Sequence, residues 1–287
     1  MTAGVYDLFL PDTRDTTVIF ASPHSGRDYP AAFLAASPLD ERTIRSSEDA
    51  YVDLLFAAAT QHGAPLLAAR APRAYVDLNR APEELDPALI EGVTGGALNP
   101  RVTSGLGVVP RVVANGRPIY RSRITQAEAA RRIATVWRPY HQALQTLIDD
   151  GRRAFGESIL IDCHSMPHEA IAVHARPGRP TPDVVLGDRF GATAAPAVTD
   201  AIEAAFADAG FTVARNNPFA GAYVTQAYGR PSSGQHVVQV EIDRALYLDE
   251  ATVRPAPQFT RLQVRLAPVI ARIAALGRRH AVPLVAE

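Results

Sequence analysis

Four polar groups end or interrupt short apolar runs, and their types are those of hydrolytic chemistry. His24 stands in S-P-H-S-G after the run Thr16–Ala21, and Asn79-Arg80 closes the segment Ala74–Leu78. His164 follows the run Ile159–Ile161 in D-C-H-S, and Glu241 lies inside the apolar run Val237–Ile242. A carboxylate pair, Glu48-Asp49, comes soon after the first histidine. Two neutral imidazoles and one carboxylate form a ligand set for catalytic zinc that leaves a fourth position open. A glutamate beside such a site can accept a proton from water, and arginine forks can hold a carboxylate or an oxyanion. The spacing does not match a compact zinc motif. There is no H-E-x-x-H, and His24-x-x-Arg27 carries a base where an H-x-x-E pair needs an acid.

Each residue also has an ordinary structural reading. His24 could cap a turn, His164 could be a satisfied strand-end histidine, and Asp77 could pair with Arg80. Glu48 and Asp49 could be first-turn charges on a helix dipole. Glu241 resists such a reading, because an unpaired carboxylate between Val240 and Ile242 is costly to bury. His141, His168, His174 and His236 cannot be placed by spacing. Cys163 alternates away from His164 and reads as a packed thiol, with a nucleophile as the other option.

The elements that must position these groups alternate along the chain. Strands are expected at Thr16–Ala21, Pro65–Ala69, Ala74–Leu78, around Ile159–Ile161, at Phe211–Ala214, Ala222–Thr225 and Val237–Ile242, with short apolar runs at Ala170–His174 and Asp183–Leu186. Helices are expected over Ser46–Ala59, capped by Ser46 or Ser47, and over Thr125–Asp150, Ala195–Ala207 and Leu262–Leu276. Residues 81–117 read as a long Pro- and Gly-rich loop. This alternation predicts an α/β fold with a mixed, mostly parallel central sheet and helices on both faces, in one domain over residues 1–287. In such a sheet ligands bind at the carboxyl ends of strands, where His24 and His164 fall. Asp162, two residues before His164, is placed to orient it.

Composition narrows the chemistry further. The chain has 287 residues, 47% of them hydrophobic, and a net charge of -1, which gives no sign of a nucleic-acid or membrane partner. All 29 basic residues are arginine, so Schiff-base and P-loop lysines are excluded. One cysteine, Cys163, cannot form an internal disulfide, and no signal peptide or membrane span is read. The expectation is a cytoplasmic protein acting on a small molecule.

Six segments in order carry a resemblance: S-P-H-S-G, E-D-A-Y-V-D-L-L-F, R-A-Y-V-D-L-N-R-A-P, D-C-H-S, G-A-Y-V-T-Q-A-Y-G-R-P and G-Q-H-V-V-Q-V-E-I-D-R-A-L-Y-L. Together, from about His24 to Tyr247, they resemble the N-formylglutamate amidohydrolase (deformylase) family. That family is more distantly similar to zinc carboxypeptidases and aspartoacylase-type deacylases. The resemblance implies their phosphorylase/hydrolase-like α/β fold. It also implies zinc-dependent hydrolysis of an N-acyl amino acid, N-formyl-L-glutamate first, with a place in histidine catabolism. Carried onto this sequence, it makes His24 and His164 zinc ligands, with Asp49, or Glu48 instead, as the third. Glu241 becomes the general base and Arg73 the group that polarises the scissile carbonyl. Asn79 and Arg80 hold a substrate carboxylate, and Tyr223 and Thr225 line the pocket. The sequence departs from the family's D-A-H-S and G-G-Y at Cys163 and Ala222. A carboxypeptidase-like or other amidase acting on a different N-acyl amino acid or peptide fragment is the alternative, and a silent member binding a small anion is a third reading.

Overall fold

A computed structural model describes residues 4–94, 99–173 and 181–278. Among these residues seven strands build one sheet: β1 (Tyr6–Phe9), β2 (Val18–Ser22), β3 (Leu66–Ala69), β4 (Ser158–Met166), β5 (Val184–Gly187), β6 (Val213–Arg215) and β7 (Gln235–Asp243), in the order β1-β3-β2-β4-β7-β5-β6. Four neighbouring pairs are parallel, and β1 with β3 and β5 with β7 are antiparallel. The mixed, mostly parallel sheet expected from the sequence is present.

The long central strands are apolar on both faces because both faces are covered. Val18, Phe20, Ile159, Ile161, Val238 and Val240 point to one side, where the helices Pro196–Asp208 and Phe259–Leu276 pack. Cys163 lies on this side, fully buried, and burial pushes its thiol well above the usual range. Ile19, Ala21, Leu160 and Val237 point to the other side, against the helix Arg138–Phe155. On that second face the alternation runs Leu160, Asp162, His164 along β4 and Val237, Gln239, Glu241 along β7. An apolar surface thus becomes polar at the carboxyl ends of two adjacent strands. Among the described residues no helix is long and apolar enough to cross a membrane.

Several local expectations are corrected. Residues 46–59 are not one helix: Tyr51 takes a left-handed conformation with φ 64°, and only Val52–Leu55 is α-helical, followed by a 3₁₀ segment, Ala57–His62. Glu48 and Asp49 therefore precede the helix and serve tertiary contacts instead of a helix dipole. Ala74–Leu78 forms turns begun by Pro72, whose carbonyl accepts from the amides of Tyr75 and Val76. Tyr223–Tyr228 is a helix where a strand was expected over Ala222–Thr225, and the apolar run read from Ala170 falls in a short helix, His168–Ala172. His174 lies outside the described residues.

The helix expected over Thr125–Asp150 runs through residues 126–155 with a wider π turn at Ile133–Trp137. The turn brings Trp137 over His141 at a centroid distance of 3.9 Å, and its indole N–H donates to the Arg80 carbonyl at 2.9 Å. His141 is buried between the Tyr228 hydroxyl (2.8 Å) and the Leu78 carbonyl (2.9 Å). Burial lowers its pKa to about 4 from 6.5. Below about pH 6.5 the unfolded chain takes up a proton that the folded chain refuses. Stability present at neutral pH is therefore lost as pH falls towards 4, by about 3 kcal/mol in total. Unfolding free energies of the wild type and His141→Gln between pH 7.5 and 4.5 test this. The variant is expected to show the shallower decline, and equal slopes would refute the assignment.

Candidate active site

Three backbone segments converge where the sheet turns polar. The turn after β2 presents His24, and it is tight: a Cβ on Gly26 would lie 2.1 Å from the Ala71 carbonyl oxygen, so only glycine fits. The Asp49 amide donates to the His24 carbonyl at 3.1 Å, which brings the loop 46–51 against this turn. β4 supplies His164, directly paired in register with Glu241 on β7. His24, Asp49 and His164 are all buried, and one ligand atom from each lies within 4.8 Å of the others.

Hydrogen bonds decide which ring nitrogen of each histidine is available. His24 Nε2 lies 2.7 Å from Asp77 Oδ1, so its N–H is donated there and Nδ1 carries the lone pair. That Nδ1 is buried without a hydrogen-bond partner among the described residues, 3.4 Å from Asp49 Oδ2. At His164 two groups meet Nε2: Asp162 Oδ2 at 3.1 Å, the orienting carboxylate expected from the sequence, and Asn79 Nδ2 at 3.0 Å, while Nδ1 is 2.8 Å from Asp49 Oδ2. In the tautomer of His164 that donates to Asp162, two nitrogen lone pairs face one carboxylate oxygen and repel it unless positive charge lies between them. A proton can supply it at His164. Burial opposes that proton, but Asp162 and Asp49 on its two sides prevail and hold the His164 pKa well above the ordinary imidazole value. A divalent cation meets the demand of all three donors at once, with the outer carboxylates fixing the rings as orienting groups do in metal sites. The donor set therefore fits a metal ion.

Asp49, not Glu48, belongs to this cluster. Glu48 faces away and is consumed by Arg45 (3.0 Å) and the Tyr29 hydroxyl (2.6 Å). The other oxygen of Asp49, Oδ1, accepts from Arg244 at 3.0 Å. Burial opposes the charge on Asp49, yet the neighbouring imidazoles of His164 and His24 hold its carboxyl well below the usual range.

A family model for N-formylglutamate amidohydrolases matches residues 16–248. The chain belongs to this family. It is similar to the N-formylglutamate deformylases of Pseudomonas aeruginosa and Pseudomonas putida, with 31% and 28% identity over 236 residues, 81% of this chain and 82% of either relative. The crystal structure of an N-formylglutamate amidohydrolase from Ralstonia eutropha JMP134 superposes with a TM-score of 0.89 at 36% identity, covering 96% of this chain and 99% of that one. A gene product from Agrobacterium tumefaciens shares the fold, with a TM-score of 0.62 at 18% identity.

In this family member the cluster opens into a cavity of about 630 Å³. Glu241 lines it, 8% exposed, and its Oε1 accepts from Gln239 Nε2 at 2.8 Å. Gln239 Oε1 in turn accepts from the Ala222 amide, tying β7 to the loop that ends at Gly221 and Ala222. Burial lifts the Glu241 pKa to about 7, with Asp49 and Asp162 adding to the rise and His164 and Arg73 opposing it. Such a value belongs to a carboxylate that can take up and release a proton near neutrality.

The arginines divide by partner. Arg73 donates from Nε to Asp77 Oδ2 at 3.0 Å, and its Nη groups have no protein partner among the described residues. Among the described residues Arg80 bonds only backbone carbonyls, Leu106 through Nε and Asn79 through Nη1. The Asp77–Arg80 ion pair considered from sequence is not formed, since Asp77 is held by His24 and Arg73. Asn79 borders the cavity, but its side chain is a bracket: Oδ1 accepts from the Val224 amide at 2.7 Å while Nδ2 reaches His164 and Asp162. Tyr223 and Thr225 stand behind the wall formed by Gly221 and Ala222. Tyr223 packs on Trp137 and His141, and the Thr225 hydroxyl donates to the Ala222 carbonyl. A side chain on Gly221, where φ is 110°, would strike Thr225 at 2.6 Å.

Arg244 was not singled out in the sequence. Besides Asp49 it donates to Ser165 Oγ (3.2 Å) and to the Ser46 carbonyl, joining the Asp49 loop to the strand of His164. The one available signal was a charged pair, Asp243-Arg244, at the carboxyl end of a fully buried strand.

Proposed function

We propose that the chain is a zinc-dependent N-formylglutamate amidohydrolase, cleaving the formamide C–N bond of N-formyl-L-glutamate with water to give formate and L-glutamate. The observation that carries this reading is Glu241, a cavity carboxylate with a pKa near 7, paired in register with His164 of a buried His-Asp-His donor set. Membership of the family and similarity to the Pseudomonas N-formylglutamate deformylases and the Ralstonia N-formylglutamate amidohydrolase support the substrate. His24 Nδ1, His164 Nδ1 and Asp49 Oδ2 would hold the ion. Bound there, zinc would supply a Lewis acid that acidifies water and polarises a carbonyl.

The chain's own groups account for the remaining requirements. Glu241 takes the proton of the attacking water at its uncommitted oxygen and returns it to the departing amide nitrogen as the C–N bond breaks. Arg73, anchored through Nε, directs its Nη donors at the oxyanion that develops on the formyl carbon, a form of stabilisation that often dominates catalysis. Arg80 holds the α-carboxylate next to the scissile nitrogen. Asn79 keeps His164 and the helix Tyr223–Tyr228 in register around it.

The test is release of formate and glutamate from N-formyl-L-glutamate by the purified protein, before chelation, after it, and after zinc is restored. Turnover that chelation abolishes and zinc restores is the expected result. Metal binding with no formate released would overturn the substrate, and full turnover in a metal-free preparation would overturn the role of the three ligands.

A further inference from the structure

Among the described residues four arginines line the cavity: Arg73, Arg80, Arg101 and Arg244. Arg73 and Arg244 are neutralised by Asp77 and Asp49. Among the described residues neither Arg80 nor Arg101 has a carboxylate within ion-pair distance, whereas their neighbour Arg111 is paired with Asp86. Two guanidinium groups thus line the same cavity without an ion-pair partner among the described residues. Their mutual effect is unfavourable: burial lowers the Arg80 pKa, and the charges of Arg73 and Arg101 lower it further, with Asp77 and Glu84 opposing.

The backbone holds the two arginines as a set. Leu106 accepts from Arg80 Nε at 3.0 Å through its carbonyl and donates to the Arg101 carbonyl at 2.8 Å through its amide. Asn99 fixes the start of the helix Pro100–Thr103 by accepting from the Arg101 amide at 3.0 Å, and it is itself anchored on Glu84 at 3.1 Å. Arg80 is buried beside Asn79, whose side-chain amide reaches His164, and Arg101 is exposed at the outer wall. One inner and one outer cation match a substrate with two anionic ends, one adjacent to the scissile nitrogen and one a short aliphatic chain away.

We infer that Arg101 is a specificity-determining residue that binds the side-chain carboxylate of an N-acyl acidic amino acid, while Arg80 binds its α-carboxylate. This assignment rests on the N-formylglutamate reading and deepens it. An N-formyl amino acid with a neutral side chain leaves Arg101 unpaired at the mouth of the cavity. A charge-assisted contact that is partly open to water is expected to discriminate by about tenfold.

The experiment compares kcat and KM of the zinc-loaded wild type, Arg101→Met and Arg101→Lys on N-formyl-L-glutamate and N-formyl-L-glutamine. The wild type is expected to prefer the glutamate by about tenfold or more in kcat/KM. In Arg101→Met, KM for the glutamate rises about tenfold and the glutamine is processed as before, so the preference disappears. Arg101→Lys retains part of it. A glutamate-to-glutamine ratio unchanged in Arg101→Met, or an equal loss on both substrates, overturns the assignment while leaving the proposed activity in place. Absence of turnover on both substrates by the wild type removes the activity and the subsite together. Arg101 sits exposed on a short helix, so the variants are not expected to disturb folding, and unchanged thermal unfolding verifies this.

Discussion

Replacing Glu241 by glutamine is expected to lower kcat by about 1,000-fold, within the 10²–10⁴ range of general acid–base contributions. The glutamine preserves shape, and its amide can still meet Gln239, so metal content, KM and thermal stability should stay close to the wild type. The loss is confined to the proton: the amide cannot take one from water at neutral pH or return one to the leaving nitrogen. The pH profile provides an independent readout. Burial lifts the group to about 7 from an ordinary 4.5, and a cation bound beside it draws it back down. The acid limb of kcat, rising with pH as the base is deprotonated, is therefore expected between those values and should vanish in the variant. A variant within tenfold of wild-type kcat would show that another group carries the proton.

Glu241 also illustrates what was legible in the sequence. A carboxylate between Val240 and Ile242 could not be explained as a solvated charge, and the structure places it on the face where β4 and β7 turn polar. Period-two alternation made this visible, because Asp162, His164, Gln239 and Glu241 follow Leu160 and Val237 at fixed steps. The central strands and the long helices were equally readable from local pattern, whereas β1 (Tyr6–Phe9) was not read and Ala74–Leu78 proved not to be a strand. What escaped was whatever depends on contacts distant in sequence. Ser46–Ala59 has helical composition, yet the amide of Asp49 is spent on the His24 carbonyl and Tyr51 turns left-handed, so the helix shrinks to one turn. Ala222–Thr225 looked like a strand by composition, but the Val224 amide is taken by Asn79, 145 residues away in sequence, at the start of a helix. Similarly, Asp77 could be assigned to Arg80 by proximity in the chain. Only the fold reveals that His24 and Arg73 reach it instead.

Arg244 is the clearest residue of this kind, and its replacement is expected to cost metal affinity. Asp49 has two oxygens, and the cluster uses one. By holding Oδ1 at 3.0 Å, Arg244 leaves Oδ2 facing the two imidazoles, and through Ser165 and the Ser46 carbonyl it fixes the loop that carries Asp49 against β4. In Arg244→Met the carboxylate is free to rotate, and a buried charge has lost its partner. Orienting partners of metal ligands typically contribute 10–100-fold to affinity, and a drop towards the upper end, about 100-fold, is expected because Asp49 is fully buried. Asp49→Ala, which removes the ligand itself, should lose more than about 100-fold and retain no activity at micromolar zinc. Competition for zinc against a chromophoric chelator measures both without reference to turnover. Arg244→Lys separates positioning from bulk stability: a single ammonium can still reach Oδ1 but cannot also hold Ser165 and the Ser46 carbonyl, so affinity should recover in part. If Arg244→Met binds zinc as the wild type does, Asp49 is oriented by its own loop, and the arginine serves only to neutralise a buried carboxylate.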